Sequence, residues 1–150
     1  MGAGLIGSER IKAFSALVRE GLPLRSVGVI DPHGPNVAAL AASIEAPVLV
    51  DIGALIGLKP EVVVVATPHD TARDIAASLL NAGIRVIIEK PLGRTLEEAK
   101  ALAARQKYHG QLSIGYNFRF FEGVRHLMAD IKSGFFGKPI SLSFTFGHGG

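Results

Sequence analysis

Four consecutive valines, Val62 to Val65 in the run E-V-V-V-V-A-T-P, constrain this chain more than any other stretch. β-Branched residues with no polar alternation read as a strand buried on both faces, the pattern of a parallel sheet covered by helices. The next segment, T-A-R-D-I-A-A-S-L-L-N-A-G, puts Ile75 and Leu79 on one helix face and reaches a stop signal at Gly83. I-R-V-I-I-E-K-P then repeats the strand pattern. Thr95-Leu96-Glu97-Glu98 has the capping-box form and opens a helix over E-E-A-K-A-L-A-A-R-Q-K-Y, which Gly110 ends. Q-L-S-I-G-Y follows as another strand. Apolar strands alternating with helices predict a doubly wound, Rossmann-like α/β sheet.

The same alternation extends upstream. S-V-G-V-I-D reads as a strand ending at Asp31, V-A-A-L-A-A-S-I as a short helix and A-P-V-L-V as a strand. Asp51 is placed to cap the helical stretch I-G-A-L-I-G. At the start stands G-A-G-L-I-G, Gly2 to Gly7, followed by a helix with Ile11, Phe14 and Val18 on one face. A G-x-G-x-x-G loop joins a strand to a helix, and only Met1 stands in front of it. The expectation is that the sheet's first strand lies upstream of Met1, through a misassigned start or because the sequence is a fragment. At the other end I-S-L-S-F-T-F alternates strictly, with Ile140, Leu142, Phe144 and Phe146 on one face. That is the pattern of a half-buried antiparallel strand. It reads as the first strand of a second, truncated α+β domain. The predicted division is a dinucleotide-binding domain over 1–118 and, over 119–150, a connecting helix from Phe120 to Ser133 with the start of the second domain.

Composition narrows the function classes. The chain has 150 residues, 48% hydrophobic and 19% charged, with a formal charge of +3. That is a globular composition able to bury a core. Its basic residues are scattered, which gives no reason to propose nucleic acid. The absence of cysteine excludes disulfides, thiolate metal sites and cysteine nucleophiles. The five histidines are far apart, so no structural metal is expected. No apolar run reaches membrane-spanning length and no signal peptide precedes the glycine motif, so the expected setting is cytoplasmic.

Each glycine of the motif has its own task. Gly2 allows the tight turn, Gly4 lets backbone approach a pyrophosphate, and Gly7 lets helix and strand pack closely. With Leu5 and Ile6, these residues would place phosphates at a helix N-terminus. Asp31 ends the second strand 24 residues after Gly7. Alone it reads as a turn residue before Pro32. With the glycine motif it reads as the carboxylate that accepts hydrogen bonds from the adenosine ribose of NAD and repels the 2′-phosphate of NADP. Arg10 is either near those phosphates or a solvated surface residue. Thr67, Pro68 and His69 follow the valine strand and so face the predicted crevice at the carboxyl ends of the strands. His69 reads better as a loop or first-turn residue than as an acid-base catalyst. Glu89-Lys90-Pro91 ends the next strand. There a lysine can hydrogen-bond a substrate hydroxyl and stabilise the alkoxide formed as hydride leaves, although most lysines at strand ends are simply solvated.

G-A-G-L-I-G, V-I-D, A-T-P, E-K-P, G-Y-N-F-R-F and G-F-F-G-K-P occur in this order. Together they resemble the N-terminal part of the Gfo/Idh/MocA oxidoreductases, which include glucose-fructose oxidoreductase and inositol dehydrogenases. The resemblance covers essentially the whole chain. It implies an NAD(P)-dependent dehydrogenase acting on a sugar, cyclitol or related polyol, with NAD the expected cofactor and NADP the alternative. It implies that Lys90 contacts the reacting oxygen, with Glu89 and Asn117 on the cofactor side and Arg119 near the substrate pocket. It also implies a homo-oligomer in the complete protein. Two positions depart from the pattern: His69 directly follows A-T-P, where Asn is frequent, and Glu122 stands where many members have Pro. The family's catalytic histidine belongs to the C-terminal domain, and neither His126 nor His148 matches it. These residues alone are therefore expected to be catalytically incomplete. The competing expectation is a non-catalytic NAD(P)-sensing regulator on the same fold.

Overall fold

A computed structural model describes residues 1–143, 145 and 147. The chain divides into two units, Met1–Gly115 and Tyr116–Gly150. The first contains α1 (Leu5–Arg19), α2 (Val37–Ala42), α3 (Ile52–Gly57), β1 (Val62–Val65), α4 (His69–Asn81), β2 (Arg85–Ile88), α5 (Leu96–Ala103) and β3 (Leu112–Ile114). The three strands form one parallel sheet in the order β1-β2-β3, with Val62 opposite Arg85 and Val86 opposite Leu112. This is the predicted Rossmann-like α/β architecture.

The valine strand is less symmetric than its sequence implies. Val63 and Val65 are buried, Val64 is half-buried and Val62 is exposed; β2 repeats the pattern, with Val86 and Ile88 buried. The buried set packs in one cluster with Ala72, Ala76, Leu79 and Leu80 of α4 and Leu102 of α5. Full burial on both faces is thus corrected to one closed face and one partly covered face.

The other side of the sheet is thinner. The strands expected at S-V-G-V-I-D and A-P-V-L-V reduce to a single parallel bridge, Val29 to Val48. Val29 N–H donates to Pro47 O at 2.9 Å and Leu49 N–H to Val29 O at 2.8 Å. Between this bridge and β1 stands Met1. Its amino group donates to Val64 O at 2.6 Å. Its carbonyl accepts from Ala66 N–H at 2.8 Å, and Gly2 N–H donates to Ile30 O at 2.8 Å. Read across the sheet, Val48, Val29, Met1, β1, β2 and β3 occupy the doubly wound order 3-2-1-4-5-6. Met1 and Gly2 supply hydrogen bonds at only one level of that order. On the Val29 side the expected strand is one bridge wide.

In the second unit, a 3₁₀ turn over Asn117–Phe120 precedes α6 (Glu122–Ser133). The single helix expected from Phe120 is interrupted at Phe121, whose backbone is extended and whose N–H donates to Phe118 O at 3.1 Å. Gly134 ends α6 in the left-handed region, φ 78°. The strand expected over Ile140–Phe146 does not form among the described residues: Ile140 to Ser143 and Thr145 have no strand partner, and Ile140 is fully exposed. Phe144 and Phe146 lie outside the described residues. An alternating strand without a neighbour has no ladder to hold it. Among the described residues no helix is long and apolar enough to cross a membrane.

Candidate functional site

The glycine loop is set by contact distances. A Cβ at Gly2, where φ is +86°, would lie 2.5 Å from Ala66 O and 2.9 Å from Thr67 N. One at Gly7 would lie 1.9 Å from Gly2 O. Neither position accepts a side chain. A Cβ at Gly4, by contrast, would meet nothing within 4 Å. The middle glycine of the motif therefore borders open space, where another molecule can approach the backbone. Gly4 is also the N-cap of α1, with no side chain capping it and no acidic residue in the first turn. The first bond of this region is Ser8 N–H to Gly4 O at 2.8 Å, so the N–H groups of Leu5, Ile6 and Gly7 have no intrahelical acceptor. Leu5 and Ile6 are themselves exposed.

Asp31 locks this loop. Its Oδ2 accepts from Ala3 N–H at 2.6 Å and its Oδ1 from His33 N–H at 3.0 Å. Gly34 lies so close that a Cβ there would come 2.8 Å from Oδ2. Burial works against the charge of this carboxylate. The N–H groups of Ala3, His33 and Gly34, with the His33 ring nearby, outweigh burial and hold its pKa below the usual value. With about four lone-pair sites on its two oxygens and three N–H donors, the carboxylate keeps one site for a further donor such as a ribose hydroxyl.

Thr67 follows β1 directly, and its Oγ1 is buried with no hydrogen-bond partner among the described residues. A buried hydroxyl left unpaired is costly unless something else supplies the partner. Pro68 is the N-cap of α4, and His69 is its first residue and exposed, the first-turn placement favoured by the sequence. At the end of β2, Lys90 is exposed and no ion pair or hydrogen bond among the described residues engages it. Glu89 is half-buried. Its Oε1 takes the Nε of Arg10 at 2.5 Å. Arg10 is therefore not a freely solvated surface residue; this partnership across 79 positions carries no local sequence signal. Asn117 and Arg119 lie on the 3₁₀ turn of the second unit, both exposed. Among the described residues no group of three or more His, Cys, Asp or Glu is arranged to hold a metal ion.

A dinucleotide fits these residues. The open backbone at Gly4 and the uncapped positive end of a 15-residue helix are what a pyrophosphate-bearing ligand requires.

Comparison with known proteins agrees. Residues 1–116 match the family model described as "Oxidoreductase family, NAD-binding Rossmann fold". The rhizopine catabolism protein MocA of Rhizobium meliloti is 31% identical over 149 residues, covering 95% of this chain and 44% of that protein. An inositol 2-dehydrogenase of Pseudomonas fluorescens is 29% identical over 147 residues, covering 95% of this chain and 43% of the relative. Among solved structures, levoglucosan dehydrogenase in complex with NADH and levoglucosan superposes with a TM-score of 0.79 at 26% identity, over 91% of this chain and 38% of that one. The chain thus spans less than half the length of these relatives.

Proposed function

Because this chain belongs to the Gfo/Idh/MocA oxidoreductase family and carries its NAD-binding Rossmann fold, we propose that the complete protein is an NAD-dependent dehydrogenase of a sugar, cyclitol or related polyol. The observation that carries the reading is the geometry of the glycine loop. An open, uncapped glycine loop is pinned by Asp31, with Lys90 at the end of the second strand of the same unit. Relatives named as inositol and levoglucosan dehydrogenases support the substrate class.

In this reading Gly2, Gly4, Leu5, Ile6 and Gly7 hold the pyrophosphate through backbone N–H groups, and Asp31 accepts from the adenosine ribose. Thr67, Pro68, His69 and Lys90 line the nicotinamide side, Asn117 is assigned a cofactor contact, and Glu89, paired with Arg10, acts behind Lys90. Bound NAD supplies the hydride acceptor. Lys90 Nζ donates a hydrogen bond to the substrate oxygen and stabilises negative charge developing there, and Arg119 orients the polyol. NAD is preferred to NADP because the Asp31 carboxylate repels a 2′-phosphate. The exposed Phe120, Phe135 and Ile140 of the second unit support assembly into a homo-oligomer.

The test is to titrate the full-length gene product with NADH and NADPH, then assay NAD reduction on myo-inositol, scyllo-inositol, levoglucosan and glucose. NADH is expected to bind more tightly, and at least one polyol to be oxidised. Lys90→Ala is expected to cut turnover roughly 10²- to 10⁴-fold while changing NADH affinity less than about threefold. Tighter NADPH binding would remove Asp31 from discrimination, and unchanged turnover would remove Lys90 from the mechanism.

A further inference from the structure

Among the described residues Lys90 has no hydrogen-bond or ion-pair partner of its own, while the residue before it is held firmly. Glu89 is fixed on three sides. Its N–H donates to Val65 O at 2.9 Å, tying it to β1. Its carboxylate lies over Gly115, where a Cβ would come 2.8 Å from Oε2 and 3.0 Å from Oε1. Gly115 is itself held, its N–H donating to Ile88 O at 2.8 Å. The third tie is Arg10, whose Nε meets Oε1 at 2.5 Å with side-chain exposures of 32% for Arg10 and 14% for Glu89.

Arg10 stands on α1, the helix whose N-terminus borders the open backbone at Gly4. The ion pair therefore joins the phosphate-binding helix to the strand end that carries Lys90. Neither E-K-P nor the glycine motif explains this pairing, and Gly115 has an ordinary reason to be glycine only if the carboxylate must lie there.

Resting on the dehydrogenase reading above, we propose that Glu89 is a positioning residue. With Arg10 and Gly115 it holds Lys90 at a fixed offset from cofactor bound on α1. A half-buried ion pair contributes little net stability once both charges have lost water. Geometry, in contrast, is sensitive here: a displacement near 1 Å at a reacting centre can cost about 100-fold in rate. The expected signature is lost turnover without lost cofactor affinity.

The experiment uses the full-length gene product and four variants: Glu89→Gln, Gly115→Ala, Arg10→Met and Arg10→Lys. Gly115→Ala keeps both charges and only pushes the carboxylate aside, so it carries the test if Glu89→Gln fails to fold. NADH affinity is read by fluorescence titration. Lys90 accessibility is read by acetic anhydride labelling and mass spectrometry, with and without NADH. Steady-state constants are measured on whichever polyol is oxidised. Glu89→Gln and Gly115→Ala are each expected to lower kcat about 10- to 100-fold, with KM for NAD within about threefold. Protection of Lys90 by NADH should also be lost. Arg10→Lys, which keeps a cation on a different head group, should recover part of the activity lost in Arg10→Met. Wild-type protection and turnover in variants that bind NADH normally would overturn the proposal, as would NADH affinity falling in step with kcat. Failure of the unaltered protein to bind NADH would instead overturn the dehydrogenase reading from which the proposal starts.

Discussion

The two halves of the sheet are built from similar sequence and reach different degrees of order. On the β2–β3 side the strands are continuous, and Val65, Val86 and Ile88 are essentially inaccessible. On the Val29 side, pairing is one bridge wide, and Val48 and Val50 are 47% and 86% exposed. Hydrophobicity does not separate A-P-V-L-V from R-V-I-I. The difference lies in neighbours: a parallel strand is buried only if another strand and its crossover helix cover it. β2 has strands on both sides. Val29 has Val48 on one side and, on the other, only the Gly2–Ile30 bond at the next level.

The ordered half also owns a polar staple. Gln111 is fully buried. Its Nε2 donates to Leu80 O at 2.9 Å and Ile84 O at 3.2 Å, and its Oε1 accepts from Lys107 N–H at 2.8 Å. One amide thus satisfies the end of α4, the entry to β2 and the loop before β3. Gln111→Leu keeps approximate volume but leaves these groups unpaired in the core. The expected loss is about 3–5 kcal/mol in denaturant unfolding. A loss under about 1 kcal/mol would mean that the order of this half rests on apolar packing alone.

The weaker half hangs on Met1. Its ammonium is buried against Val64 O, and desolvation lowers its pKa from 8.0 to about 6, against a smaller upward pull from Asp31. Between these values the unfolded chain binds more protons than the folded one, so stability falls as pH drops from 8 to 6 and this group causes no further loss below 6. For these 150 residues with a free amino terminus, the expected fall is on the order of 2–3 kcal/mol. An N-acetylated form carries no such charge and serves as the control. Parallel pH profiles for the two forms would show that the ammonium is not held at this buried position.

Legibility in the sequence follows the range of the interaction. Periodicity located α1 and α4, since amphipathic spacing is local, and cap residues located α3 and α5. The Asp51 cap was readable, and its Oδ1 accepts from Ala54 N–H at 2.8 Å. Thr95 was readable as a cap too, but only half of the capping box forms. Thr95 Oγ1 accepts from Glu98 N–H at 3.2 Å, while Glu98 accepts from Arg94 N–H at 2.8 Å instead of returning to Thr95. The helix predicted to run to Gly110 stops at Ala103. There Gln106 Nε2 donates to Ala103 O at 3.1 Å and its Oε1 accepts from Leu112 N–H at 3.1 Å. No spacing rule announces side chains that replace helical bonds in this way. The tight packing at Gly2 and Gly7 was legible because a motif fixes the order of the glycines. Arg10 with Glu89, and Gln111 with Leu80, join residues 79 and 31 positions apart and emerge only once the chain is folded.

Asp31 gives the smallest expected effect and the finest division between the halves. It belongs to the weak side of the sheet, yet its bond to Ala3 N–H is what aligns the glycine loop with the strand end beside it. Asp31→Asn preserves shape but replaces one acceptor oxygen with a donor, so either Ala3 or His33 N–H loses its partner. The global cost should be about 1–2 kcal/mol, because the site is partly solvated and water can replace the lost acceptor. The local cost should be larger in kind: hydrogen exchange at Ala3 and at Ser8, whose N–H donates to Gly4 O, should quicken while β2 and α4 stay as protected as before. That pattern requires the loop to open without the ordered half. Equal acceleration at Val86 and Leu79 would mean that the two halves unfold together and that the contrast in burial does not extend to their stability.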